Sequence, residues 1–248
     1  MDQTIIFNRS GLAITMLPIS ADAVRGLSGP MVCPPLSGLA SVVSPPSSAF
    51  FLDGIPLRPG LILNMSSRST FGLLTRMALA PAYKRLTNDP HPIRNCPSHS
   101  AMTVLHDGRI WIGEAHSPRA GLTAVDKFQW YLDQGIYYNL HIMEVVGATM
   151  AEELAASDFW MEHVFETPYD GIAMPRLLLK AIFGDLINTA AGVPWAHWCT
   201  EANMESWRDG AHRDPYGNKN PTPLTELKRL LEGKFRQLNL PRVAWGAT

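Results

Sequence analysis

Cys199, His99 and Glu114 are the residues whose types could together perform nucleophilic chemistry. Cys199 lies in Trp195-Ala196-His197-Trp198-Cys199-Thr200-Glu201, after Gly192-Val193-Pro194. The segment from Cys199 to Trp207 reads as a helix with Gly210 just beyond as its stop. A cysteine at the start of a helix meets backbone N–H groups and the positive end of the dipole, and both favour a thiolate. Taken alone, such a residue is more simply a packed structural thiol, because free cysteines are among the most buried side chains. A nucleophile also needs a base, and the base needs a partner that fixes its tautomer.

The histidine and the carboxylate come from one hairpin. Ser98 to His106 and Arg109 to Ala115 read as strands, and Asp107-Gly108 between them is a two-residue turn. That turn sets His106 opposite Arg109, so Ala101 falls opposite Glu114 and His99 opposite His116. Side chains alternate along a strand, which puts His99, Ala101, Glu114 and His116 on one face. Glu114 is then the diagonal neighbour of His99, with backbones about 7–8 Å apart and side chains in reach. A solvated His–Glu edge would look the same from the hairpin alone, and His116 is a second candidate for the paired histidine.

The other cysteines offer less. Cys33 lies in a Pro-rich segment with no base in view. Cys96, three residues before His99, could join His99, His197 and Cys199 in a zinc set, but neither Cys-x-x-His nor His-x-Cys is a usual half-site. The thiol chemistry itself calls for no cofactor and no metal.

The elements that must carry these residues can be sketched. Leu57-Arg58-Pro59-Gly60 reads as a turn into a short buried strand at Leu61-Ile62-Leu63. Thr70 to Ala80 reads as a helix, with Phe71, Leu74 and Ala78 at helical spacing. Gly135 to Val146 reads as a further strand, Ala148 to Phe159 and Arg176 to Ile187 as helices. Leu224 to Leu238 reads as a closing amphipathic helix with Leu227, Leu230, Leu231 and Phe235 on one stripe. Residues 1–56 are punctuated by Pro30, Pro34, Pro35, Pro45, Pro46 and Pro56, which predicts an irregular arm. Its apolar residues, among them Met31, Val32, Phe50 and Phe51, suit packing against the domain or a partner chain rather than solvation. Residues 57–248 form the expected domain.

Bulk properties narrow the function. Lys and Arg number 21 against 22 Asp and Glu in 248 residues, a net charge of −1. That balance offers neither the basic face expected for nucleic acid nor a polybasic handle for anionic lipid. Three cysteines argue against a disulfide framework and for a reducing compartment. No secretory signal and no apolar run long enough to span a membrane is read in the sequence.

Several segments, in order, resemble the permuted branch of the NlpC-type cell-wall peptidases, the YiiX-like group of the papain-like superfamily. They are Leu57-Arg58-Pro59-Gly60, Ser98-His99-Ser100-Ala101-Met102, Ile112-Gly113-Glu114-Ala115, Gly121 to Phe128, Pro168-Tyr169-Asp170 and Trp198-Cys199-Thr200-Glu201. Leu61 stands where that family usually has Asp, and Thr200 where Ser is common. The resemblance spans residues 57 to about 210. It implies an α+β, circularly permuted papain-like fold, an antiparallel sheet packed on helices. It implies that Cys199 attacks an amide or ester carbonyl, His99 shuttles the proton, Glu114 orients His99, and the Cys199 N–H helps hold the oxyanion. Tyr169 would add a hydroxyl near the site, although a packed aromatic before a helix reads equally well. The implied substrate is an amide bond of a peptide, above all in peptidoglycan stem peptides. Two other readings remain: a structural virion, tail or assembly component that keeps the fold and makes contacts through its N-terminal arm, and a lipid acyltransferase or deacylase. A virion part acting at the cell envelope would reconcile a wall hydrolase with the lack of a signal.

Overall fold

The computed structural model describes residues 6–7, 13–14, 50–169, 197–217 and 221–239. The chain divides into two compact units, Met1–Pro45 and Pro46–Thr248. In the first, strands β1 (Ile6–Phe7) and β2 (Ala13–Ile14) pair antiparallel. In the second, the elements run β3 (Phe51–Leu52), β4 (Ile55–Pro56), β5 (Ile62–Ser67), α1 (Thr70–Thr87), α2 (Pro92–Asn95), β6 (His99–His106), β7 (Arg109–Ala115), β8 (Ala120–Ala124), α3 (Val125–Asp133), β9 (Tyr137–Val145) and α4 (Met150–Phe159). They continue with α5 (Cys199–Glu205), α6 (Pro223–Leu231) and β10 (Phe235–Gln237). Helices α4 and α5 run on as single π-turns over Trp160–Val164 and Ser206–Gly210.

The expected α+β architecture with an antiparallel sheet is present. Six strands lie in the order β10-β9-β5-β6-β7-β8, each antiparallel to its neighbours. The central strand β5 is buried at every position, because both faces of the sheet are covered. On one face Ile62, Met102, Val104 and Met143 pack with Ala156 and Trp160 at α4 and Ala202, Met204 and Trp207 at α5. On the other, Leu63, Met65, Ala101, Ile112 and Ile142 pack with Val125, Phe128 and Leu132 of α3. The alternation of neighbours such as Ile62 and Leu63 between these cores is the period-2 geometry of a strand. Among the described residues no helix is long and apolar enough to cross a membrane.

The structure departs from the expected elements in four places. Residues 50–56, grouped by composition with the arm, pack in the second unit, where Leu52 is fully buried beside Leu61 and Leu63. Helix α1 continues past Pro81 to Thr87, since Pro81 is on the exposed side. Its buried stripe is Thr75, Leu79 and Tyr83, while Phe71 and Leu74 stay largely exposed. The closing helix stops at Leu231, where Gly233 takes φ +72° and donates to Leu230 O. Phe235 then enters β10 and packs edge-on against Tyr216, so it serves the sheet core rather than a helical stripe. Strand β8 and helix α3, which no periodicity singled out, cover the sheet edge next to β7. The helix expected over Arg176 to Ile187 lies outside the described residues, as do Cys33 and Asp170.

Candidate active site

The hairpin forms in the expected register, from His106 opposite Arg109 to Met102 opposite Gly113. Asp107 and Gly108 both take positive φ, 49° and 71°, the backbone of a two-residue turn that matches strand twist. His99 opens β6 and Glu114 sits near the end of β7. Their side chains meet, His99 Nε2 at 3.0 Å from Glu114 Oε1, with both residues buried. His116, the other histidine considered, is exposed and its Nδ1 lies 3.2 Å from Ser117 O.

Two further side chains hold the carboxylate. Tyr137 donates its hydroxyl to Glu114 Oε1 at 2.9 Å, and Thr123 donates to Oε2 at 2.6 Å. Tyr137 also stacks on His99, ring centroids 5.5 Å apart and planes 23° apart. Burial alone would raise the Glu114 carboxyl, but the bonds from His99, Thr123 and Tyr137 hold it below its usual range. Sequence reasoning missed both residues. Tyr137 opens a strand that was anticipated, yet its pairing with the hairpin face runs through tertiary packing. Thr123 belongs to a strand with no legible pattern, although the hairpin register continued into β8 sets it opposite Ile112.

Cys199 begins α5, which packs on β6. Its thiol is buried, and its interaction with His99 raises the pKa of that ring. Thr200 Oγ1 lies 3.8 Å from Sγ. Burial would lower the pKa of His99, and the interactions with Cys199 and Glu114 outweigh it, raising the group to about 10. His99 therefore keeps its proton at neutral pH. Trp198 occupies the N-cap with no side-chain bond to the first turn, so its side chain caps none of the N–H groups beside the sulfur.

Tyr169 is half-buried. Its ring packs edge-on against Phe71 at 5.9 Å and borders the core under α4 and α5. Its backbone bridges His197, two residues before the cysteine. The tyrosine on the histidine–carboxylate pair is Tyr137.

Of the four residues weighed as a zinc set, Cys96 and His197 are engaged apart from His99 and Cys199. Cys96 is fully buried with Leu79, Tyr83 and Leu227, and burial pushes its thiol up to about 12. His197 bonds Glu205 Oε2 at 2.8 Å and Thr167 Oγ1 at 3.1 Å. Among the described residues no three His, Cys, Asp or Glu side chains group as a metal ion would need. No family model and no curated protein matches the chain.

Proposed function

We propose that the chain is a cysteine hydrolase of the circularly permuted papain-like kind, cleaving amide bonds in peptidoglycan stem peptides. The observation that supports this most is the grouping of Glu114, His99 and Cys199: a carboxylate fixed by three donors, a histidine it holds, and a buried thiol that raises that ring's pKa from the head of the helix packed on the histidine's strand. These are the three roles a nucleophile, its base and the base's orienter require. The substrate class comes from the resemblance of the motifs around them.

In this reading the reaction runs through two halves. Cys199 Sγ adds to the amide carbonyl carbon while its proton resides on His99. The oxyanion that forms is stabilised by N–H groups of the first turn of α5. Collapse breaks the C–N bond, and the His99 proton goes to the departing amine. Water then attacks the thioester, giving its proton to His99, and the acid leaves as the thiol re-forms. Glu114 keeps the imidazole oriented throughout and stabilises its cation.

Incubating the protein with purified peptidoglycan and resolving the released fragments by mass spectrometry tests this. Stem-peptide fragments with new termini are expected from the native protein, and C199A should release them at least about 10³-fold more slowly. Iodoacetamide near neutral pH should label Cys199 in the folded protein. A folded protein whose Cys199 is inert to that reagent overturns the proposal.

A further inference from the structure

A second carboxylate lies behind the site and takes no part in the reaction. Glu226, on α6, is fully buried. Its Oε1 accepts from Ser100 Oγ at 2.7 Å, Tyr216 OH at 2.9 Å and Asn203 Nδ2 at 3.3 Å. Its Oε2 accepts from Asn64 Nδ2 and Ser100 Oγ, both at 2.7 Å. Ser100 follows His99 on β6, and Asn203 lies one helical turn after Cys199 on α5. Asn203 Nδ2 also donates to Ser100 Oγ at 2.6 Å and to Ala101 O at 3.2 Å. The histidine strand and the cysteine helix are therefore tied together one residue and one turn behind their reactive side chains, and Glu226 closes the tie.

We propose that Glu226 is a positioning residue of the thiol site, its carboxylate setting the nucleophile helix on the histidine strand through Asn203 and Ser100. This rests on the reading of Cys199 as the nucleophile. Two observations carry it. All four side chains on the carboxylate are neutral donors, so the cluster is arranged around an acceptor. Among the described residues the buried carbonyl oxygens Asn64 Oδ1 and Asn203 Oδ1 have no hydrogen-bond partner, so both amides are turned to give their N–H groups to that acceptor at the expense of their own oxygens.

The tie depends on the charge of Glu226. Burial pushes its carboxyl up to about 7, against the opposing effect of the four donors. A protonated Glu226 would place its own O–H among those donors, loosening the Asn203 link and with it the Cys199–His99 alignment. Among the described residues the titratable and charged groups around it are few. Tyr216 donates to it and itself feels Cys199 and Asp214. Cys199 lies on α5, and His99 precedes Ser100 on β6. His141, opposite Asn64 on β9, is bonded to Gln237 at 3.0 Å. From α1, Tyr83 packs with Leu227 and gives its hydroxyl to Asp89, and from β10 Arg236 pairs with Glu144.

The test is the rate of Cys199 alkylation by iodoacetamide from pH 5 to 10 in the full chain, read by peptide mass spectrometry so that Cys33 and Cys96 are scored separately. The native protein should show a step near pH 7 set by Glu226. E226Q should lose that step and react about 3–10-fold more slowly at pH 8, with its circular dichroism unchanged. Y216F removes one donor to the carboxylate and should move the step upward by about 0.5–1 pH unit, and in the E226Q background it should move nothing. If E226Q does not fold, the displacement in Y216F alone decides. Identical profiles in native protein and Y216F, with Cys199 reactive, overturn the proposal and leave the thiol-site reading standing. An inert Cys199 in the native protein overturns that reading itself.

Discussion

Glu114 gathers side chains from three separate strands, His99 from β6, Thr123 from β8 and Tyr137 from β9. Its anionic form is what each of them binds. E114Q offers an amide instead, which can accept on one side but must present N–H groups to another donor on the other. The His99 cation then loses its partner, its pKa falls, and the ring is free to take the wrong tautomer. Amide hydrolysis should drop about 10²–10⁴-fold, measured as kcat/KM on a released peptide, with the alkaline limb of the pH profile moved to lower pH. Y137F deletes one of three donors and leaves the charge, so its loss should stay near about 10-fold or less. Equal losses in the two variants would show that the charge on Glu114 is not what matters. The His99–Glu114 pair was readable from sequence because both residues lie on one hairpin whose register a two-residue turn dictates. Thr123 and Tyr137 were not, because no local rule says which strand lies beside a hairpin edge or which aromatic covers it.

Among the elements, the β6–β7 hairpin and the α4 helix set the depth at which Glu114 sits. A Cβ at Gly113 would lie 2.8 Å from the Trp160 ring, which is itself fully buried beneath the sheet. G113A must therefore displace Trp160 or lift β7, at a cost of about 1–3 kcal/mol. Because Glu114 is the next residue, Cys199 alkylation should slow as well. G108A meets no neighbouring atom, and only the strain of a left-handed φ of 71° remains, about 1 kcal/mol, with alkylation unchanged. Urea midpoints and alkylation rates of the two variants separate packing from turn strain. A G113A protein no less stable than G108A would refute the close approach of Trp160. The same elements show where periodicity suffices. The hairpin, β9 and α4 carry their own signals, a turn, an apolar run and an apolar helix start with a capping box at Thr149 and Glu152. The end of α6 does not. Leu227, Leu230, Leu231 and Phe235 have helical spacing, yet Leu231 is 60% exposed and Phe235 belongs to a strand, because the free edge of β9 offered Phe235 a partner that spacing cannot show.

Across the whole molecule, the two buried groups that serve the site oppose stability as pH rises. Glu226 titrates at about 7 in the folded chain against 4.5 when unfolded, so the native state holds the extra proton between those values. Stability accordingly falls as pH rises from about 4.5 to 7. His99 titrates at about 10 against 6.5, and the stabilisation from its cation is complete below 6.5 and lost as pH climbs toward 10. Glu114 acts on the other side. Its lowered pKa contributes stability above the ordinary carboxylate range that is lost as pH falls below about 4.5. Thermal unfolding should therefore occur at its highest temperature near about pH 5 and decline in two steps toward pH 10. E226Q should remove the first step, and H99Q the second. A native protein that melts higher at pH 9 than at pH 5 would contradict both assignments. The pH at which the fold is firmest is thus not the pH at which the nucleophile helix is best held, since the carboxylate that ties Asn203 to Ser100 is charged only once stability has begun to fall.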